Sequence, residues 1–139
     1  MALPAAFVRD TKKLLTSNTS PFGKSRWIEH EPVLKCYMRV NCSYMIAGKI
    51  QAAIVVSNIE VREAYRNKGL YSELLGIFDE CAAGRPIYIE GVMFEEQHGI
   101  YLRRGFTKIA PPPGMTFDPH TVCFYKLPKE KDDQAKSSP

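Results

Sequence analysis

The hydrophobic period changes at Gly69, and this change constrains the chain more than any other feature. Ile50 to Val56 is apolar and β-branched, and Asn58-Ile59-Glu60-Val61 continues in extended form. Residues 62–68 form a charged loop. Beyond it Leu70, Leu74, Leu75, Ile77, Phe78 and Cys81 recur at helical spacing, from Gly69 up to Gly84. A strand, a basic loop and a helix N-terminus in that order suit an anion. The first amides of the helix lack intrahelical acceptors, and the positive end of its dipole lies there. Arg66 and Lys68 add charge, and Gly69 has no Cβ to hold a ligand away from the backbone. The same segment also reads as a solvated turn that starts a helix. Its single glycine fits neither a GxGxxG nor a Walker loop.

The remaining elements fall around this unit. Ala5 to Leu15 reads as a helix with Phe7, Val8, Leu14 and Leu15 on an apolar face. Ser17 to Gly23 is a loop, and Trp27-Ile28 begins a short turn. Val33 to Val40, Tyr44 to Ile46 and Ile50 to Val56 read as strands, with Gly48 between the last two. Pro86 to Val92 is a buried parallel strand, and Glu95 to Arg104 a helix closed by Gly105. Phe106 to Ala110 restarts a strand, Pro111 to Gly114 breaks it, and Val122 to Leu127 is the last one. The order predicts one α/β domain over residues 1–128 on a mixed sheet, followed by a disordered polar tail over 129–139.

Composition narrows the function. Of 139 residues 45% are hydrophobic and 24% charged, as in a soluble globular domain, and no apolar run reaches the ~20 residues of a membrane span. A cytoplasmic protein is expected. Cys36, Cys42, Cys81 and Cys123 form no C-x-x-C pair, and His30, His98 and His120 add no ligand spacing, so no metal is expected. The net charge of +4 gathers partly at Arg62, Arg66 and Lys68, without the long basic stripe of a nucleic-acid binder.

Two segments carry a family resemblance. Arg66-Asn67-Lys68-Gly69-Leu70-Tyr71, after a strand ending in Val61, resembles the cofactor loop [Arg/Gln]-x-x-Gly-x-[Gly/Ala] of the GNAT superfamily of acetyl-CoA-dependent N-acyltransferases. Tyr101-Leu102-Arg103-Arg104-Gly105-Phe106 matches that family's Tyr-x-x-x-Gly-Phe helix end. The likeness runs from about Ile50 to Phe106, with element order alone beyond it. Tyr71 stands where the family prefers a small residue, and Phe94 where Asn is common.

The resemblance implies a GNAT-like, largely antiparallel mixed sheet flanked by helices, with a central strand pair that splays apart. Acetyl-CoA would lie between those strands. Its pyrophosphate would meet the amides of Arg66, Asn67, Lys68, Gly69, Leu70 and Tyr71, and its pantetheine arm would pair with Ile59 and Val61. Tyr101 resembles the family's proton donor to the leaving thiolate, and Glu90 the base that frees the amine, with Glu60 its rival. Strand alternation points Glu60 away from Ile59 and Val61, unless a β-bulge reverses it. His98 reads as a surface helix residue, and Tyr88 and Phe94 as core or pocket wall. The implied function is acetyl transfer from acetyl-CoA to a primary amine of a small molecule or protein, by a monomer or homodimer. Residues 17–30 and 111–120 would shape acceptor choice. The alternative is a GNAT-fold binding protein that docks on a protein partner.

Overall fold

The structure is a computed structural model that describes residues 2–17, 23–92, 95–109 and 122–128. In chain order the elements are α1 (Ala5–Leu15), β1 (Lys24–His30), β2 (Leu34–Ile46), β3 (Lys49–Val61), a 3-10 turn (Glu63–Tyr65), α2 (Leu70–Cys81), β4 (Ile87–Val92), α3 (Glu95–Arg103), β5 (Thr107–Lys108) and β6 (Val122–Lys126). The six strands form one sheet in the order β1-β2-β3-β4-β6-β5. Every neighbouring pair is antiparallel except β3–β4, which is parallel. The expected mixed, largely antiparallel sheet is therefore present. No helix among the described residues is long and apolar enough to cross a membrane.

Bulges decide which face each strand residue occupies. Asn41 is an extra residue in β2 between the pairs Val40–Ile54 and Cys42–Ala53, and its φ is 60°. Ser57 is an extra residue in β3, between the pairs Met38–Val56 and Tyr37–Asn58. A third irregularity lies in β4 between Ile89 and Val92. Each extra residue shifts the two-residue alternation by one. Ile54, Val56, Ile59 and Val61 consequently share one face, although strict alternation would separate the first two from the last two.

That face, with Leu34, Cys36, Met38, Val40, Ile87, Ile89 and Phe124, buries the apolar residues of all three helices in one core. The opposite face carries a smaller cluster of Ile46, Ala53 and Val55 with Tyr44, Tyr88 and Tyr125 against it. Arg85 fastens the core's corner. It donates to the carbonyls of Leu15 (2.6 Å), Cys81 (2.7 Å) and Ala82 (2.8 Å) and to Asn41 Oδ1 (3.0 Å), tying the ends of α1 and α2 to the β2 bulge.

Several boundaries differ from the sequence expectation. Trp27 and Ile28 belong to the edge strand β1 rather than to a turn, with Trp27 opposite Tyr37. Only Ile28 of that strand is buried, so its composition lacks an apolar alternation. The segments 33–40 and 44–46 merge into β2, and 50–56 and 58–61 into β3, because bulges interrupt the pattern without ending the strands. The strand expected at 106–110 shrinks to Thr107–Lys108. Phe106 is buried in the core just before it. The Pro111–Gly114 break, the 129–139 tail, Phe94, residues 18–22 of the first acceptor segment and the whole of the second (111–120) lie outside the described residues.

Candidate active-site cleft

The parallel pairing of β3 with β4 stops at Val56 and Ile89. Beyond that pair β3 runs on to Val61 with, among the described residues, only β2 paired beside it. The splay therefore begins at the Ser57 bulge, upstream of Val61. A narrow cleft of about 20 Å³ opens between the strands, and Ile59, Tyr71, Glu90, Gln97 and Tyr101 line it. Residues far apart in sequence, and assigned separately to acid, base and cofactor edge, thus meet at one opening.

Tyr101 reaches the cleft from α3 and is 1% exposed. Its ring stacks on Phe124 at 5.0 Å and meets Phe106 edge-on at 5.6 Å. Burial pushes its phenol well above the ordinary tyrosine range, with the Tyr71 and Cys36 side chains adding to the rise. A neutral phenol at physiological pH can give a proton. The chain turns sharply behind it at Gly105 (φ 87°), and the Phe106 amide donates to the Tyr101 carbonyl at 3.0 Å. Gly105 closes the helix as expected.

Glu90 lies on the other side of the sheet among polar partners. Arg39 Nη2 and Ser57 Oγ (2.8 Å) donate to its Oε1, and Tyr44 OH donates to its Oε2 at 2.8 Å. Arg39 also donates to Tyr44 OH at 2.6 Å and to Ser57 Oγ at 3.3 Å. The carboxylate accepts at roughly four lone-pair sites, so one remains for a water or an amine. Glu60 pairs with Lys35 at 3.3 Å, and it is absent from the cleft lining. The bulge sits upstream of it and leaves it pointing away from Ile59 and Val61, as alternation predicts.

The loop before α2 has the form of an anion cradle. Asn67 (φ 60°) and Gly69 (φ 79°) are both left-handed, and a Cβ on Gly69 would meet nothing within 4 Å. No side chain caps the α2 N-terminus, and Arg66, Asn67, Lys68 and Gly69 are exposed there. Leu70, by contrast, is buried in the core, so only its backbone can face a ligand. Arg62 is committed elsewhere, to Glu31 at 2.6 Å. These residues fit a phosphate group. The strand edge is already engaged: Tyr71 OH donates to the Ile59 carbonyl at 3.1 Å, and Arg66 Nε to the Val61 carbonyl at 2.9 Å.

Sequence reading overlooked Arg39, Tyr44, Ser57 and Gln97. A signal existed, since Arg39 and Glu90 are charges of opposite sign in two apolar strands. His98 is half-buried rather than fully exposed: its ring packs edge-on to Phe124 at 5.2 Å, and its Nε2 is buried with no hydrogen-bond partner among the described residues. Tyr88, expected in the core or the pocket wall, packs against the smaller core cluster, 5.0 Å from Tyr44, and does not line the cleft.

No family model and no curated protein matches this chain. Solved structures do. One is from Corynebacterium glutamicum ATCC 13032, described as histone acetyltransferase HPA2 and related acetyltransferase. It shares a TM-score of 0.56 and 14% identity, over 91% of this chain and 76% of that one. An acetyltransferase from Thermus thermophilus gives a TM-score of 0.50 and 14% identity, over 88% and 84%. At such identities the likeness is one of fold, and it agrees with the mixed, largely antiparallel sheet and its helices. The chain has the fold of the GNAT superfamily of acetyltransferases.

Proposed function

We propose that this protein is an acetyl-CoA-dependent N-acyltransferase that acetylates a primary amine. The observation that carries the reading is the cleft at the β3–β4 splay, where Tyr101 and Glu90 line one opening near the uncapped start of α2. On this reading the amides of residues 66–71 take the pyrophosphate, and the carbonyls of Ile59 and Val61 take the pantetheine amides. Acetyl-CoA supplies a thioester carbonyl open to attack. Glu90 accepts a proton from the incoming ammonium, directly or through one water, and the freed nitrogen bonds to the acetyl carbon as the C–S bond breaks. Tyr101 gives its phenolic proton to the departing sulfur, and the new amide nitrogen sheds its second proton, which restores the Tyr101 phenol through solvent. Glu90 releases its proton to solvent. Arg39, Tyr44 and Ser57 hold Glu90 in place.

The test is release of free thiol from acetyl-CoA, with a panel of small amines and peptides as acceptors. Thiol release that depends on an acceptor supports the proposal, and CoA should also raise the melting temperature with concentration. A second reading, a GNAT-fold protein that docks on another protein, is favoured by one observation. The Tyr71 and Arg66 side chains already use the strand carbonyls that a cofactor would need. Absence of both CoA binding and thiol release would favour it.

A further inference from the structure

Beyond the Ser57 bulge, the edge of β3 that faces the splay has no strand partner among the described residues. Its carbonyls at Ile59 and Val61 are acceptors that buried or half-buried backbone normally fills. Here two side chains from the following segment fill them. Arg66 Nε serves Val61 from the exposed loop, and Tyr71 OH serves Ile59 from the first turn of α2. Gln97 of α3 also hydrogen-bonds to the Tyr71 side chain. The phenol therefore links β3, α2 and α3 across the floor of the cleft. Burial accompanies this: its pKa is pushed up to about 12, mainly by desolvation. The cleft left around it holds only about 20 Å³, far below the roughly 300–1,000 Å³ of small-molecule sites.

We propose that Tyr71 is a latch on the cofactor edge, whose hydroxyl occupies the Ile59 carbonyl in the ligand-free protein and must swing away for an acyl-CoA to enter. The inference rests on the cofactor reading given above. A pantetheine amide N–H and the Tyr71 hydroxyl are both donors, so they compete for one acceptor. The bound form is then reached only from the open fraction, and the apparent affinity falls in proportion to that fraction. A small residue at this position would leave the edge open at all times. Tyr71 thus sets how much acyl-CoA the protein needs before it binds.

The experiment compares the full-length wild type with Tyr71→Phe, which keeps the ring and removes the donor. CoA affinity is measured by titration calorimetry, and ligand-free stability by thermal melting. The latch predicts opposite signs. The variant should melt lower without ligand by a few degrees, yet bind CoA about three- to tenfold more tightly, the worth of one net hydrogen bond. Gln97→Ala opens the latch from the other wall and should move affinity the same way, which keeps the test informative if Tyr71→Phe unfolds. Weaker CoA binding in Tyr71→Phe would make the hydroxyl a ligand contact and overturn the latch. Unchanged affinity with a lowered melting point would make it a structural bond only, which also overturns the latch. CoA binding by none of the three proteins overturns the cofactor reading and the latch together.

Discussion

The two walls of the cleft reach the same opening by opposite means. Tyr101 stands on a dry wall, stacked on Phe124 and almost wholly removed from water. Glu90 stands on a wet one, about a third exposed and held by Arg39, Ser57 and Tyr44. On the first wall desolvation acts on a group that is neutral, and keeps it neutral. On the second, donors act on a group that carries charge. The comparison teaches that a sheet splayed at its centre can offer a protonated acid to one face and a solvated carboxylate to the other. No pair of adjacent titratable groups is needed.

The largest test of the dry wall is Tyr101→Phe. It should lower kcat by roughly ten- to a thousandfold, within the range that general acid catalysis supplies. The ring still stacks on Phe124, so the melting temperature should hold. Steady-state thiol release beside a thermal melt measures both, and an unchanged kcat would move the acid elsewhere.

The dry wall also predicts alkaline sensitivity. Tyr71 and Tyr101 have pKa values raised by burial above the ~10 of an unfolded tyrosine. Above that pH the unfolded chain loses protons that the folded chain keeps, so the unfolded state gains relative stability. The protein is fully stable with respect to these groups below about pH 10. It should lose about 1.4 kcal/mol per pH unit for each of them above it. Melts between about pH 8 and 11, with phenolate absorbance followed in parallel, would show the loss; a flat profile contradicts it.

At the mouth of the cleft, Gly69→Val should remove the CoA-induced rise in melting temperature and cost about 1–3 kcal/mol of ligand-free stability, because a β-branched residue is strained at φ 79°. Gly69→Asn tolerates that backbone better and should be the milder change. Equal behaviour of the two variants would take strain out of the account.

On the wet wall, Glu90→Gln turns an amide toward Arg39. It should cost about 1–2 kcal/mol in denaturant unfolding, reduced because the group is partly solvated. It should also depress kcat/KM. Lost stability with turnover preserved would make Glu90 structural. The smallest effect is expected at Glu60, whose pair with Lys35 lies outside the cleft: Glu60→Gln should change stability by less than about 1 kcal/mol and leave turnover intact. A large loss of turnover there would make Glu60 the base after all.

Much of the scaffold was legible because local periodicity is written in consecutive residues. The change at Gly69 placed α2 to within a few residues, and Gly105 marked the end of α3. The parallel strand β4 was readable from its short apolar run. Edge strand β1 was not, since a strand exposed on nearly all sides leaves little apolar pattern. Nor was the full length of β2 and β3, whose bulged residues Asn41 and Ser57 look like ends when no partner is in view.

The sequence by itself determined the strand–loop–helix unit with its glycine at the start of α2, and the tyrosine and glycine that end α3. Both depend on backbone propensity and spacing within a few residues. Only the tertiary structure decided which groups share the cleft. Arg39 meets Glu90 across 51 residues, and Tyr71 reaches Ile59 because the Ser57 bulge frees that edge of β3. A bulge is defined by the strand opposite it, and a hydrogen bond by where two segments pass. Neither quantity exists until the sheet has formed.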